Sequence, residues 1–195
     1  MKNSVRYLWR IFFIGWGLFI AIILLANWGL FGKLPSLQEL ENPSASLASE
    51  VIASDGTVMG KYYLQDRSNV EYKDISPNVI NALIATEDER FYEHSGIDAK
   101  SILRAVVRFG RDGGGSTITQ QLAKNLLNQG SGNKAMRVIE KLKEWIVAIK
   151  LERNFTKEEI LALYLNTVPF GNEIYGIRNA SKTYFQKEPD RLAIE

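Results

Sequence analysis

Apolar and polar residues alternate along most of this chain with the spacing of an α-helix. From Ser76 onward, apolar side chains recur every three to four residues in one segment after another, which predicts amphipathic helices. Before them, two β-rich runs flank Asp55-Gly56 and predict a β-hairpin. The pattern therefore predicts a mainly α-helical domain that follows a small β-hairpin region.

Capping residues mark where several of these helices begin. Pro77 suits a first helical position, and Glu159 completes a capping box with the residue three before it. The predicted N-caps are Ser76, Asp98, Ser116 and Thr156. The last residues, 190–195, predict the opening of one more helix, so the domain is expected to continue beyond residue 195.

A long uncharged stretch lies between Arg10 and Lys33. About 20 apolar residues at a rise of 1.5 Å cross the hydrocarbon layer of a bilayer, so residues 11–32 predict a transmembrane anchor. A cleaved signal peptide is the alternative, but its apolar region is usually shorter and no A-x-A pattern follows Leu25. A buried core helix fits the uninterrupted length less well.

The flanks of this stretch predict its orientation. Lys2, Arg6 and Arg10 precede it, so residues 1–10 are expected in the cytoplasm and the rest of the chain on the other side. Residues 33–47, rich in Ser and Pro, predict a linker. The domain proper is then expected over residues 48–195.

The segment ATEDERFYEHSGID, residues 85–98, contains five acids, one Arg and the only histidine. Glu87 continues the helical face of Leu83 and Ile84, at its C-terminal end. A lone buried carboxylate is too costly, so Glu87 is either paired as a structural acid or lines a cleft, and both interpretations stay open here. The apolar face is expected to give it a poorly solvated position, which suits a general base.

A second glutamate lies on the segment AMRVIEKLKEWIVAIKLER, residues 135–153, whose two apolar strips predict a helix through a core. Glu144 precedes one strip by three, four and seven residues and is expected to point inward. The strips are Ile139, Leu142, Ile146 and Ile149, and Val147, Ala148 and Leu151. Carboxylate pairs in different environments are typical of glycosyl-transfer chemistry.

Two further patterns predict contacts with phosphate or lipid. A glycine-rich loop leads into Ser116 and a helix start, which is either an ordinary helix N-terminus or a site that binds phosphate through free backbone N–H groups; the nucleotide P-loop spacing is absent. Gln120, Gln121 and Lys124 add polar groups on that helix. The preceding helix carries a basic ridge that is either solvated or, beside a bilayer, in contact with anionic headgroups: Lys100, Arg104 and Arg108.

Composition excludes several classes of site. The formal charge of +2 gives no reason to expect nucleic acid. Without cysteine there are no disulfides or thiol nucleophiles, and with a single histidine a zinc site is not expected. His94 is therefore expected to have a structural hydrogen-bonding role.

Four segments together resemble, in order, the signature blocks of peptidoglycan glycosyltransferases of family 51: ATEDERFYEHSGID, GGSTITQQLAKNL, EKLKEWIVAIKLER and TKEEILALYLNTVPFGNEIYGI. This family is the polymerase module of class A penicillin-binding proteins and of monofunctional polymerases. The resemblance covers about residues 48–195. It implies a lysozyme-like, mostly helical fold with a large lobe and a smaller jaw that dips into the membrane.

The resemblance also implies a reaction. Lipid II in an acceptor site attacks a growing glycan strand through its 4-hydroxyl, the anomeric centre inverts, and a β-1,4 link forms as undecaprenyl pyrophosphate leaves. Mg²⁺ or Mn²⁺ is a possible cofactor, and no organic cofactor is expected. The implied partners are lipid II, the glycan strand, the inner or cytoplasmic membrane and other cell-wall synthesis proteins, with the catalytic domain on the periplasmic side.

Particular residues match the family's functional positions. Glu87 matches the catalytic base, and Glu144 the second glutamate, which helps to hold the donor's pyrophosphate or its metal. The matching substrate-binding residues are Ser116, Thr119, Gln120, Gln121, Lys124 and Lys141. The family's Arg in R-K-x-x-E is Glu140 here, and Arg137, one helical turn earlier, can reach the same region.

Two alternatives remain from other functional classes. A lytic muramidase on a lysozyme-like fold also uses a glutamate acid, but needs no lipid-facing basic helix and no cations for pyrophosphate. A non-catalytic, membrane-anchored scaffold on the same fold is the other alternative.

Overall fold

The structure is a computed structural model that describes residues 2–27, 34–36, 39–40, 49–52, 58–62, 69–107, 115–127, 134–172 and 174–194. The described chain is mainly helical, which confirms that part of the prediction. The helices are α1 (Lys2–Asn27), α2 (Pro77–Glu87), α3 (Ala99–Val107), α4 (Ile118–Leu126), α5 (Lys134–Asn154), α6 (Lys157–Thr167) and α7 (Ile177–Phe185). Short 3₁₀ turns cover Tyr72–Asp74, Phe91–Glu93 and Pro189–Arg191.

Two short strands lie between α1 and α2. Strands β1 (Ser49–Ile52) and β2 (Val58–Tyr62) pair antiparallel, with Ser49 opposite Tyr62 and an irregularity in the register after Val51. The turn predicted around Asp55-Gly56 lies outside the described residues.

The N-terminal helix α1 is 26 residues long and includes the first part of the predicted anchor. Within the part of the chain that the structure describes, no helix meets the length and apolarity needed to cross a membrane. Residues 28–33 lie outside the described part.

Part of the segment predicted as a linker packs against the domain. Leu40 is fully buried in the hydrophobic core, and the Lys150 ammonium group donates a hydrogen bond to the Pro35 carbonyl at 2.7 Å. The Ser36 and Glu39 side chains each accept a hydrogen bond from the other residue's backbone N–H, which stabilises a helical turn. Residues 41–47 lie outside the described residues.

The core lies where α4 packs against α5 and α6. Val147, Ala148 and Leu151 on α5 are fully buried, as the sequence predicts for that strip. The other strip is less covered, because Leu142 is buried but Ile149 is exposed. The remaining fully buried apolar side chains near them come from α4, α6 and the turn before α3: Ile118, Leu122, Ala123, Ile160, Leu161 and Phe91.

Three of the predicted N-caps are confirmed. The Ser76 hydroxyl accepts from the Asn78 N–H, the Asp98 carboxylate accepts from two N–H groups of α3, and Thr156 forms the capping box with Glu159. The prediction for Ser116 is wrong, since Thr117 caps α4 and accepts from the Gln120 N–H at 3.1 Å. The Ser116 hydroxyl is engaged by Lys141 instead.

The end of the chain also differs from its prediction. Residues 189–191 form a 3₁₀ turn, and residues 192–194 are not helical. The Leu192 carbonyl accepts hydrogen bonds from the Ser76 hydroxyl and the Asn78 amide, so this segment is held against the start of α2 in a non-helical course.

Candidate active site

A cleft of about 290 Å³ lies between the end of α2, helix α3 and the start of α4. Glu87 lies on one wall, Ser101 and Arg104 of α3 on another, and Ser116 and Gln121 on a third. Gly115 allows α3 to come this close, because a Cβ there would lie 3.2 Å from the Ser101 carbonyl oxygen. The cleft is thus formed by residues far apart in sequence.

Glu87 is exposed in this cleft, so the prediction of a poorly solvated position is wrong. The apolar face of α2 ends at Glu87, the last residue of the helix, and there it opens onto the cleft. The Gln121 side-chain amide donates a hydrogen bond to the Glu87 carboxylate at 2.8 Å. Of the two interpretations left open by the sequence, the structure supports a carboxylate that lines a cleft.

The carbonyl oxygen of the Gln121 side chain is also hydrogen-bonded. The Tyr164 hydroxyl on α6 donates to the Gln121 carbonyl oxygen at 3.1 Å. Burial raises the pKa of Tyr164, and the nearby charge of Glu87 raises it further, to about 12. The hydroxyl therefore stays protonated near neutral pH and remains available as a donor.

Asp88 and His94 hold the loop that follows Glu87. The Gly96 N–H donates to His94 Nδ1, which leaves the ring proton on Nε2 to be donated to the buried Asp88 carboxylate at 3.0 Å. Asp88 also accepts from the Ile118 N–H at the start of α4, at 3.0 Å. His94 has the structural hydrogen-bonding role that the sequence predicts, and Asp88 ties the end of α2 to α4.

Arg90 and Asp98 form an ion pair on the floor of the cleft, with nitrogen and oxygen 2.5 Å apart. Burial by itself raises the pKa of Asp98, but hydrogen bonds from Ser101 and Arg90, together with the Arg90 charge, outweigh it and lower the pKa to about 2. Asp98 also caps α3. The position of α3 beside the cleft therefore depends on an ionised carboxylate.

Glu144 lies in a different environment from Glu87. It is only 6% exposed and points inward from α5, as predicted. The Lys141 ammonium group lies 2.7 Å from the Glu144 carboxylate and donates to the Ser116 hydroxyl at 2.8 Å. The structure thus brings together three of the predicted site residues at the start of α4.

Two of the predicted substrate-binding residues lie away from Glu87, although one of them, Gln120, lines a second cavity of about 270 Å³ together with Ser116 and Lys141. The buried Thr119 hydroxyl donates to Glu152 at 2.6 Å, and the buried Gln120 side chain donates to the Gly96 carbonyl at 3.3 Å. Both contacts fix α4 to the rest of the domain. Neither side chain lies on the wall that carries Glu87, whereas Lys124 and Arg137 are exposed.

The predicted basic ridge of α3 is exposed where it is described. Lys100 and Arg104 are exposed, and so are the apolar Leu103 and Val107 of the same helix. Arg104 also lines the cleft, and its guanidinium donates to the Ser101 hydroxyl. Arg108 lies outside the described residues, as does most of the glycine-rich loop, residues 108–114.

Sequence reasoning did not assign a role in the site to Tyr164, Arg90 or Asp88. Arg90 and Asp88 belong to the acid-rich segment, whose pattern gives no signal for the residues with which they pair. Tyr164 lies among the apolar residues of α6 and no local signal separates it from the core. Only the packing of α6 on α4 brings its hydroxyl to Gln121.

In the described part of the chain, no three His, Asp or Glu side chains come together as a set of metal ligands. Glu144 is the one candidate ligand that the sequence predicts, and it supplies a single carboxylate, which contacts the same Lys141 ammonium group as the Ser116 hydroxyl. Magnesium in phosphate sites is commonly held by one or two carboxylates together with phosphate oxygens and water. The residues present fit that mode of binding.

Comparison with known proteins adds the following similarities. A family model described as transglycosylase matches residues 55–195. Penicillin-binding protein 1F of Bacillus subtilis is 44% identical over 151 residues, which cover 75% of this chain and 21% of that protein. Penicillin-binding protein 1A of Aquifex aeolicus is 40% identical over 170 residues (85% and 23%), and penicillin-binding protein 1A of Escherichia coli 36% over 186 (90% and 21%). The chain thus spans about a fifth of the length of these curated relatives.

Proposed function

Because the chain belongs to the transglycosylase family, we propose that it is a membrane-anchored peptidoglycan glycosyltransferase that polymerises lipid II into β-1,4-linked glycan strands. The observation that carries this proposal is the arrangement of two glutamates around the start of α4. Glu87 stands in an open cleft and accepts a hydrogen bond from a neutral amide, while Glu144 is buried beside an ammonium group. The lysozyme-like fold implied by the resemblance is part of the same proposal.

In the proposed reaction, Glu87 is the general base. The 4-hydroxyl of lipid II attacks the anomeric carbon of the glycan strand, and the Glu87 carboxylate takes the hydroxyl proton as the new C–O bond forms. The bond from that carbon to the diphosphate oxygen breaks with inversion, and undecaprenyl pyrophosphate leaves with the electron pair. Exposure in the cleft gives Glu87 the access to an incoming hydroxyl that this role requires.

Glu144 and its neighbours act on the leaving group. The Lys141 ammonium group donates a hydrogen bond to the Ser116 hydroxyl. An ammonium group in this position neutralises the negative charge that develops on a departing diphosphate. Lys124 and Arg137 are exposed cations on α4 and α5, and we assign them to substrate binding from the sequence pattern. A bound Mg²⁺ or Mn²⁺, with Glu144 as its ligand from the protein, would supply further neutralisation.

The membrane is the proposed source of the substrate. Helix α1 exposes apolar side chains such as Ile11, Phe13 and Ile14, which suits an anchor in lipid. Helix α3 exposes apolar and basic side chains together, the combination that favours an anionic membrane surface. We infer a single-pass protein of the inner or cytoplasmic membrane whose domain lies on the periplasmic side, with other cell-wall synthesis proteins as further partners.

The test is incubation of the full chain in detergent micelles with labelled lipid II in one reaction and with labelled preformed glycan in another. A glycosyltransferase converts the label into long glycan polymer. Shortened fragments from preformed glycan would indicate a muramidase, and no conversion would indicate a scaffold, so either outcome contradicts the proposal. The Glu87→Gln variant, run in parallel, controls for a contaminating polymerase.

A further inference from the structure

Gln121 joins two side chains that come from different helices. Its amide nitrogen donates to Glu87 at 2.8 Å, and its carbonyl oxygen accepts from the Tyr164 hydroxyl at 3.1 Å. An ionised carboxylate can only accept hydrogen bonds, so the NH₂ end of the amide must face Glu87. The oxygen then faces Tyr164, which must donate.

Glu87 and Tyr164, at the two ends of this chain of hydrogen bonds, differ in conformational freedom. Glu87 is exposed at the last position of α2, so packing alone does not select its rotamer. Tyr164 is 4% exposed and belongs to the hydrophobic core, so its ring is held on every side. The Tyr164 hydroxyl therefore has a fixed position, whereas the orientation of the Glu87 carboxylate depends on its hydrogen bond.

We propose that Tyr164 is a positioning residue that acts through Gln121 to orient the Glu87 carboxylate for proton transfer. The inference rests on the proposed function, because it assigns Glu87 the role of base. Without the hydroxyl, the Gln121 oxygen loses its partner and the amide is free to turn. A turned amide presents its oxygen to the carboxylate, which repels it and releases Glu87 from its orientation.

The chemistry of Tyr164 suits this role. Burial and the charge of Glu87 hold the pKa of its hydroxyl at about 12, so it is a donor throughout the range in which a carboxylate base operates. A serine or threonine hydroxyl on α6 would not span from the core to Gln121. The aromatic ring supplies both the reach and the rigidity.

The first experiment compares Tyr164→Phe with the wild type in lipid II polymerisation by the full chain in detergent. Loss of one positioning hydrogen bond should lower kcat by about 5-fold and leave KM within about 2-fold, because the substrate itself is not touched. In a Gln121→Ala background, Tyr164→Phe should cause no further loss. Tyr184→Phe is the matched control, since that hydroxyl donates to the Phe170 carbonyl on an exposed surface and does not line the cleft.

The second experiment does not depend on turnover. The side-chain amide signals of Gln121 in a nuclear magnetic resonance spectrum should move in Tyr164→Phe and in Glu87→Gln, and stay in place in Tyr184→Phe. If the wild type makes no polymer, the proposed function fails while the amide signals still report whether the three side chains are linked. Unchanged amide signals in Tyr164→Phe, an unchanged kcat, or an equal loss with and without Gln121 would each overturn the inference.

Discussion

Helices α3 and α4 are both nine residues long and both amphipathic in sequence, yet they meet the rest of the molecule in opposite ways. In α3, Leu103 and Val107 remain 64% and 67% exposed, whereas Ile118 and Leu122 of α4 are fully buried. Periodicity shows that a helix has an apolar face, but it does not show what covers that face. Helix α4 is covered by α5 and α6, and we propose that lipid covers α3.

The N-cap residues of α3 and α4 also differ, in charge. Thr117 caps α4 with a neutral hydroxyl, while Asp98 caps α3 with a carboxylate that Arg90 holds in its ionised form. The cleft with Glu87 lies between the two helices. The wall formed by α4 is therefore part of the protein core. The position of the wall formed by α3 depends on the Arg90–Asp98 ion pair and on what covers its exposed apolar face.

The largest expected effect tests whether the cleft between the two helices is where the reaction occurs. Glu87→Gln should lower polymerisation by ~10²–10⁴-fold, because the amide cannot accept the hydroxyl proton. Its thermal unfolding should match that of the wild type, since the side chain is exposed. Glu93→Gln, at another exposed acid, is the control, and near-normal turnover by Glu87→Gln would remove Glu87 from the role of base.

The next prediction concerns the packed side of the cleft, where Glu144 lies behind Ser116. Glu144→Gln should lower the rate by about 10²-fold and lose most of any stimulation by Mg²⁺ or Mn²⁺, yet still bind lipid II. Glu158→Gln, at an exposed acid on α6 away from the cleft, serves as the control in the same assays. Loss of acceptor binding with a normal metal response would show that the roles given to the two glutamates are wrong.

A matched pair of truncations then measures how differently the two helices are covered. Leu122→Ala in α4 should lower the free energy of unfolding by roughly 2–5 kcal/mol, because it leaves a cavity in the core. Leu103→Ala in α3 should change it by about 0.5 kcal/mol or less. Denaturant unfolding of both variants in detergent checks this, and equal losses would mean that α3 is also packed against protein.

Reversal of the basic charges on α3 tests whether an anionic membrane surface covers its exposed face. A chain without residues 1–33 should bind anionic vesicles, and changing Lys100, Arg104 and Arg108 to Glu should weaken that binding by ~100-fold or more, at about 1 kcal/mol for each charge. The same reversal at Lys73, Arg153 and Lys182 keeps the net charge equal and controls for it. Vesicle sedimentation measures both, and unchanged binding would leave the ridge merely solvated.

The smallest effect concerns the charged cap of α3. The pKa of Asp98 is about 2, below its usual value of about 3.9, so its ionised form contributes about 2 kcal/mol of stability that is present above pH ~4 and lost as the pH falls toward 2. Asp98→Asn should therefore be less stable at pH 7 and should flatten the acid limb of the stability curve. Asp74→Asn, at an exposed acid, should leave that limb unchanged.

The sequence predicted much of the local structure because local signals are strong. Helix starts at Ser76, Asp98 and Thr156 follow from side chains that reach their own backbone within one turn. The cap of α4 was misplaced by one residue, since Ser116 and Thr117 both carry a hydroxyl and only the contact with Lys141 distinguishes them.

The site was harder to predict because it depends on packing between helices. Thr119 and Gln120 share a motif with Gln121, but a residue advances by about 100° around a helix, so neighbours in sequence face different elements. Glu144 was placed correctly since a whole strip of buried residues follows it. The sequence predicts a poorly solvated Glu87, but the residue is exposed, because α2 ends at the cleft.

The contact between Lys150 and the Pro35 carbonyl ties the segment after α1 to the domain, which limits how the domain can move relative to the proposed anchor. The chain is fixed to the domain at Pro35 and at the buried Leu40, and a chain of the length from Asn27 to Leu34 can extend at most roughly 25 Å. If α1 is inserted in a bilayer as proposed, the domain cannot tumble freely above the membrane. Under that proposal, its encounter with a lipid-borne substrate becomes lateral diffusion in a plane, and much of the orientational entropy of the encounter is lost when α1 inserts.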